Sequence, residues 1–147
     1  MGTDDIINAI TNIFTGTDER DWNKVKCSFA DDVLLDYSSM NHNPAAVLPA
    51  ADIIKAWEGF LPGFDLTRHQ ISGFKVEQNG GTATVHFIGK ADHYIGEDSW
   101  TVEGTYDTEL ERSGNKWKLT KFKFNLQKQN GNIELPRKAA EMAGKNK

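Results

Sequence analysis

The chain has little of what marks several large classes of protein. It carries one cysteine, Cys27, so no intramolecular disulfide can form, and the setting Trp22-x-x-Val25-x-Cys27-x-Phe29 reads as a packed thiol rather than a nucleophile. No apolar run approaches the roughly 18 residues needed to cross a bilayer, so no membrane-spanning helix is expected. The start, Met1-Gly2-Thr3-Asp4-Asp5, lacks the basic region and long apolar stretch of a secretory signal, and a cytoplasmic location is expected. Positive charge is not in excess either: 17 Lys and Arg against 21 Asp and Glu give a net charge of −4. The lysines between 116 and 128 are interleaved with apolar residues as on a half-exposed strand, so nucleic acid is not an expected partner. No serine sits in a nucleophile-elbow context, no glycine-rich phosphate loop follows a strand, and no internal repeat is present; Gly80-Gly81 reads as a hairpin turn.

What is present is a chain of 147 residues, about the size at which one compact domain buries a single core. Residues 1–132 are expected to form that domain, with 133–147 a tail that is either a short docked helix or disordered. Thr3 is placed to cap a helix with Asp4 and Asp5 in its first turn and Ile6, Ile7, Ile10, Ile13 and Phe14 along one stripe. Gly16 is expected to interrupt it, and Asp21 to Ala30 reads as a second helix. Carrying the helical phase through the break puts Asp18 on the side of Ile7, Ile10 and Phe14, which aims a carboxylate inward. Val33 to Tyr37 reads as a strand with Tyr37 on its core face, Ser38 to Pro49 as a loop, and Ala50 to Leu61 as a third helix with Ile53, Trp57 and Phe60 inward.

From His69 the pattern changes to period two, with turns at 79–81, 96–98 and 113–115. Ala83, Val85, Phe87, Ala91 and His93 share one face of a strand, and Trp100, Val102, Tyr106 and Leu110 share one face of the next; His86 points the other way. Trp117 and Leu119 are out of phase with Phe122 and Phe124, and His69 and Ile71 are out of phase with Phe74 and Val76, which predicts a β-bulge in each strand. The expected fold is α+β: a cone in which N-terminal helices pack on a strongly curved, mixed or antiparallel sheet and a cavity stays open at one end.

Two histidines fall on the inward face of that sheet. Imidazole titrates near neutral pH, and a pair can accept and donate protons in one cycle. With Tyr37 in phase with the core and Asp18 able to hold a histidine tautomer, His69, His93, Tyr37 and Asp18 form the candidate acid/base set. Trp57, Phe60, Phe87, Trp100, Tyr106 and Phe124 are first of all core, and some are expected to line an apolar pocket. His42 reads as a surface residue. His86 and His93 lie seven apart and face opposite ways, so no metal site is expected.

The words Asp18-Glu19-Arg20-Asp21-Trp22, Leu35-Asp36-Tyr37-Ser38-Ser39, Thr67-Arg68-His69 and Ala91-Asp92-His93 resemble the fungal scytalone dehydratases of the SnoaL-like, nuclear-transport-factor-like superfamily. The resemblance implies a cofactor-independent lyase. In it, the residue matching Tyr37 polarises a substrate carbonyl through a water, while those matching His69, oriented by Asp18, and His93 carry protons as water is eliminated. Departures exist: a second tyrosine of the family site falls at Thr17, an asparagine falls at or near Tyr106, and the segment 40–48 and the tail do not match. The expected activity is therefore lyase or isomerase chemistry on a small cyclic ketone or hydroxylated aromatic compound, and the expected partner a small apolar or cyclic ligand. The alternative is a binding module of the same fold. By analogy a homodimer or homotrimer is expected.

Overall fold

A computed structural model describes residues 3–145. Its elements run α1 (Thr3–Glu19), α2 (Trp22–Cys27), β1 (Phe29–Asp36), α3 (Ser38–Asn41), β2 (Ala46–Pro49), α4 (Ala50–Glu58), a 3₁₀ turn (Leu61–Gly63), β3 (Leu66–Asn79), β4 (Thr82–Ile95), β5 (Asp98–Ser113), β6 (Lys116–Gly131) and α5 (Leu135–Lys145). The strands form one sheet in the order β2-β1-β6-β5-β4-β3. β1 runs parallel to β6 and every other neighbouring pair is antiparallel, so the sheet is mixed.

The long strands bend where the phase of their apolar residues slips. On β3 the register with β4 shifts between Ser72 and Lys75, where Gly73 takes φ +68°, a conformation that disfavours any Cβ. On β6 it shifts beside Thr120, between the pairs Leu110–Leu119 and Glu109–Lys121, and again beside Gln127. Both bulges expected from the sequence are therefore present. Against the concave face of the bent sheet lies the apolar stripe of α1, with Ile6, Ile10, Ile13 and Phe14 all buried among Phe87, Tyr106 and Phe122.

Four expectations are corrected. α1 runs through Gly16 without a break: a Cβ there would lie 2.9 Å from Val25 Cγ2, so this glycine lets α2 pack close rather than ending the helix. α2 stops at Cys27 and β1 begins at Phe29, which leaves the Cys27 thiol exposed rather than packed. The segment 38–49 is not a plain loop; it holds α3 and the edge strand β2, paired antiparallel to β1 from Asp32–Pro49 to Leu35–Ala46. α4 ends at Glu58, and the 3₁₀ turn follows it. The tail is a docked helix: Leu135, Ala139 and Ala143 of α5 are buried, and Gly63 passes so close to α5 that a Cβ there would overlap the Ala139 carbonyl. No described helix is long and apolar enough to cross a membrane.

Candidate active site

Asp18 is delivered by the last turn of α1, while Thr67 and His69 lie on the same face of β3. Thr67 pairs directly with His93 on β4, and His93 pairs with Trp100 on β5, which brings three strands to one end of the concave face. There His69 and His93 stand with ring centroids 6.2 Å apart. Between them and the helices is a cavity of about 250 Å³ lined by His69, His93, Tyr37, Tyr106 and Thr17 among apolar side chains that include Phe14, Met40, Trp57, Phe60, Leu61, Trp100 and Phe124.

The Asp18 carboxylate grips His69 twice. Oδ2 accepts the backbone N–H of His69 at 2.8 Å, and Oδ1 lies 2.6 Å from the ring Nδ1 and also accepts the Thr67 hydroxyl at 3.0 Å. Burial works against the charged carboxylate, but the side-chain hydrogen bond and charge of His69, its backbone N–H and the Thr67 hydroxyl outweigh it and hold Asp18 below the usual carboxylate range. An ionised carboxylate can only accept, so Nδ1 carries a proton, and in the neutral imidazole it is Nε2 that keeps the lone pair.

His93 reaches the same tautomer by another route. Its Nδ1 lies 3.0 Å from the Trp100 carbonyl oxygen, which can only accept, so Nδ1 is the protonated nitrogen. The ring is packed between Phe64 (4.8 Å) and Trp100 (4.4 Å), and this desolvation lowers its pKa from 6.5 to about 4, with the neighbouring His69 adding to the fall and the Trp100 carbonyl opposing it. At neutral pH His93 is therefore an uncharged acceptor at Nε2.

At the other side of the cavity stand two phenols. Tyr37, just beyond β1, and Tyr106, on β5, both pack on Phe122 and Phe124. Burial raises the Tyr37 pKa well above its ordinary value, with Tyr106 adding to it, and burial pushes the Tyr106 phenol well up in the same way. Both remain protonated donors. Tyr106 is held in place by Phe87, stacked on it at 4.8 Å and 10°, and by Gly89, where a Cβ would overlap the phenol ring.

The structure thus gathers His69, His93, Tyr37, Trp57, Phe60, Trp100, Tyr106 and Phe124 around one cavity, with Asp18 off the cavity wall and bonded to the His69 ring. Phe87 is the exception: it is fully buried behind Tyr106 and does not line the cavity. Thr17, which the resemblance set at the place of a family-site tyrosine, lines the cavity, and Met40 and Thr67 join the site without having been expected there. A second His–Asp pair, His86 Nδ1 to Asp107 Oδ1 at 2.7 Å, has similar geometry but lies half-exposed on the outer face of the sheet. Among the described residues no group of three or more His, Cys, Asp or Glu side chains is arranged to hold a metal ion.

Helices packed into the concavity of a bent mixed sheet, with a polar-tipped apolar cavity between, define a cone-shaped α+β barrel of the nuclear-transport-factor-like class. The chain belongs to the SnoaL-like domain family, whose signature spans residues 3–123. Among solved structures it is similar to the Kfla4162 protein from Kribbella flavida, with 24% identity over 95% of each chain and a TM-score of 0.82. It is also similar to a candidate scytalone dehydratase from Novosphingobium aromaticivorans (17% identity, 87% of this chain and 85% of that one, TM-score 0.75). A third is the hexachlorocyclohexane dehydrochlorinase LinA-type3 from Novosphingobium barchaimii (15%, 88% of each chain, TM-score 0.69). At these identities the likeness is one of fold. No curated protein matches the chain.

Proposed function

We propose that the protein is a lyase of the dehydratase type, or an isomerase, that removes a proton beside the carbonyl of a small cyclic ketone or hydroxylated aromatic precursor. The observation that carries this reading is the His69–Asp18 pair, bonded at 2.6 Å with the imidazole lining a mostly apolar cavity. His69 Nε2 takes the proton from carbon. Tyr37, kept protonated by its burial, donates a hydrogen bond to the carbonyl oxygen as negative charge develops there. In an elimination the imidazolium returns that proton to a departing hydroxyl as water leaves; in an isomerisation it returns it to another carbon of the ring. His93 Nε2, neutral at physiological pH, accepts the hydrogen of a substrate hydroxyl and so aims the leaving oxygen. Two proteins that share the fold carry the names of eliminating enzymes, a dehydratase and a dehydrochlorinase, which supports the same reaction class.

The test follows deuterium uptake at the α-carbon of small ring ketones in D₂O, together with loss of water from their β-hydroxy derivatives. Wild type should catalyse the exchange and His69→Ala should not, with both proteins folded. Tight binding of such ketones without exchange in wild type points instead to a binding module. Self-association through the outer sheet face is part of the same reading, since the acidic row on β5 and the lysines of β6 lie side by side there; light scattering measures it directly.

A further inference from the structure

α1 ends in a way that calls for glycine. The N–H of Asp21 bonds to the Gly16 carbonyl at 2.8 Å and that of Arg20 to the Thr17 carbonyl at 3.2 Å, the two closing bonds of a Schellman motif, and residue 20 takes φ +60°. Arginine there bears the cost of a left-handed backbone that glycine would not, so its side chain is the place to look for a reason. That side chain is turned back into the protein. One guanidinium nitrogen donates to the Thr17 carbonyl and to Thr67 Oγ1, both at 2.9 Å, and the other donates to the Leu61 carbonyl at 3.0 Å. Thr17 and Leu61 line the cavity, and Thr67 is 2% exposed.

The direction of this chain is fixed by chemistry. A guanidinium has donors only, so Thr67 Oγ1 must accept from Arg20, which leaves the hydroxyl hydrogen to donate to Asp18 Oδ1. That oxygen is the one facing His69 Nδ1. We propose that Arg20 is a positioning residue for the His69–Asp18 pair: it fixes the Thr67 hydroxyl as a second donor to Oδ1, which limits the strength of the bond from that oxygen to the imidazole, while tying α1, β3 and the 61–63 turn into one wall of the cavity. This rests on the reading of His69–Asp18 as the proton-transferring pair, but its test needs no substrate, so failure to find an activity leaves it standing or falling on its own measurement.

The measurement is the proton resonance of the His69 Nδ1–H, recorded on the ¹⁵N-labelled full chain for wild type, Thr67→Val, Arg20→Met and the double variant, with the His93 Nδ1–H as internal reference. Removing the hydroxyl leaves Oδ1 with one donor fewer, so the His69 bond strengthens and its proton moves downfield; mere loosening of the wall moves it upfield or broadens it away. We expect downfield shifts in Thr67→Val and Arg20→Met, a double variant no different from Thr67→Val alone, and the wild-type position restored in Thr67→Ser. The proposal is overturned by an unmoved resonance in Arg20→Met, by shifts that add in the double variant, or by an upfield shift in Thr67→Val. If Arg20→Met does not fold, the Thr67 pair decides alone: equal resonances in the valine and serine variants overturn it.

Discussion

His69 meets Asp18 through both its ring and its backbone: Nδ1 lies 2.6 Å from Oδ1 and the main-chain N–H donates to Oδ2 at 2.8 Å. A backbone N–H can only donate, so one side of residue 18 must always accept. In Asp18→Asn the amide oxygen takes that backbone bond, and the amide nitrogen then faces Nδ1. The imidazole proton is forced to Nε2, and the lone pair is withdrawn from the cavity. Proton abstraction should fall by about 100- to 10,000-fold while circular dichroism stays that of the wild type. Unchanged α-proton exchange in this variant would remove His69 from the role of base.

Burial of His93 should be visible as acid sensitivity. Unfolded, its imidazole binds a proton near 6.5; folded, only near 4. Between those values the unfolded chain holds the extra proton, so stability is fully present above 6.5 and declines as pH falls to about 4, by about 3 kcal/mol in all. Asp18 acts in a lower window: its pKa is depressed, so its contribution is present above the ordinary carboxylate range and lost as pH falls through the depressed value. Urea unfolding at pH 7 and pH 4 should therefore show a difference in wild type that shrinks by roughly that amount in His93→Phe. An equal difference in both proteins would mean that the folded state protonates His93 normally.

The sheet was legible because its signal is local. Alternation along 83–93 and 100–110 marks the concave face, and the slips in phase at Ser72-Gly73 and near Thr120 mark the bulges that the register shows. What could not be read depends on neighbours distant in sequence. Gly16 looks like a helix breaker until Val25 is placed against it, and β2, four residues long beside Pro44, offers no alternation to detect. Phe87 shares its face with His93, yet Gly89 admits the Tyr106 ring, which covers Phe87 and separates it from the cavity. The candidate acid/base residues were legible from inward phase and from resemblance. Thr67 and Arg20 were not, because one is a threonine in a strand and the other matters only once its left-handed backbone turns it inward.

Gly89 should be indispensable for the Tyr106 side of the cavity. It lies opposite Gly104 in the β4–β5 register, and a Cβ on it would overlap the Tyr106 ring, which is already stacked on Phe87. Gly89→Ala must push the phenol aside, at a cost of about 1–3 kcal/mol by overpacking. Tyr106→Phe keeps the ring and removes only the hydroxyl. If the phenol donates to a bound oxygen, both variants weaken binding of a ring ketone to a similar extent in calorimetric titration, while only the glycine variant loses thermal stability. Undiminished binding in Tyr106→Phe would make the tyrosine a packing residue alone.

Docking of α5 depends on the absence of a side chain at Gly63. Leu135 and Ala139 are fully buried against the 61–63 turn region, and a Cβ at 63 would overlap the Ala139 carbonyl, a backbone atom with no rotamer to give way. Gly63→Ala should therefore release the helix as a unit, seen as fast amide exchange over 135–145 with the protection of β4 and β5 retained. The turn it leaves behind also carries Leu61, whose side chain lines the cavity and whose carbonyl accepts from Arg20. Freed of α5, that wall loses its outer support, so ligand binding should weaken even though no cavity residue has been changed. If exchange over 135–145 rises while ligand affinity does not move, the α1–β3 wall stands without the tail, and α5 serves stability alone.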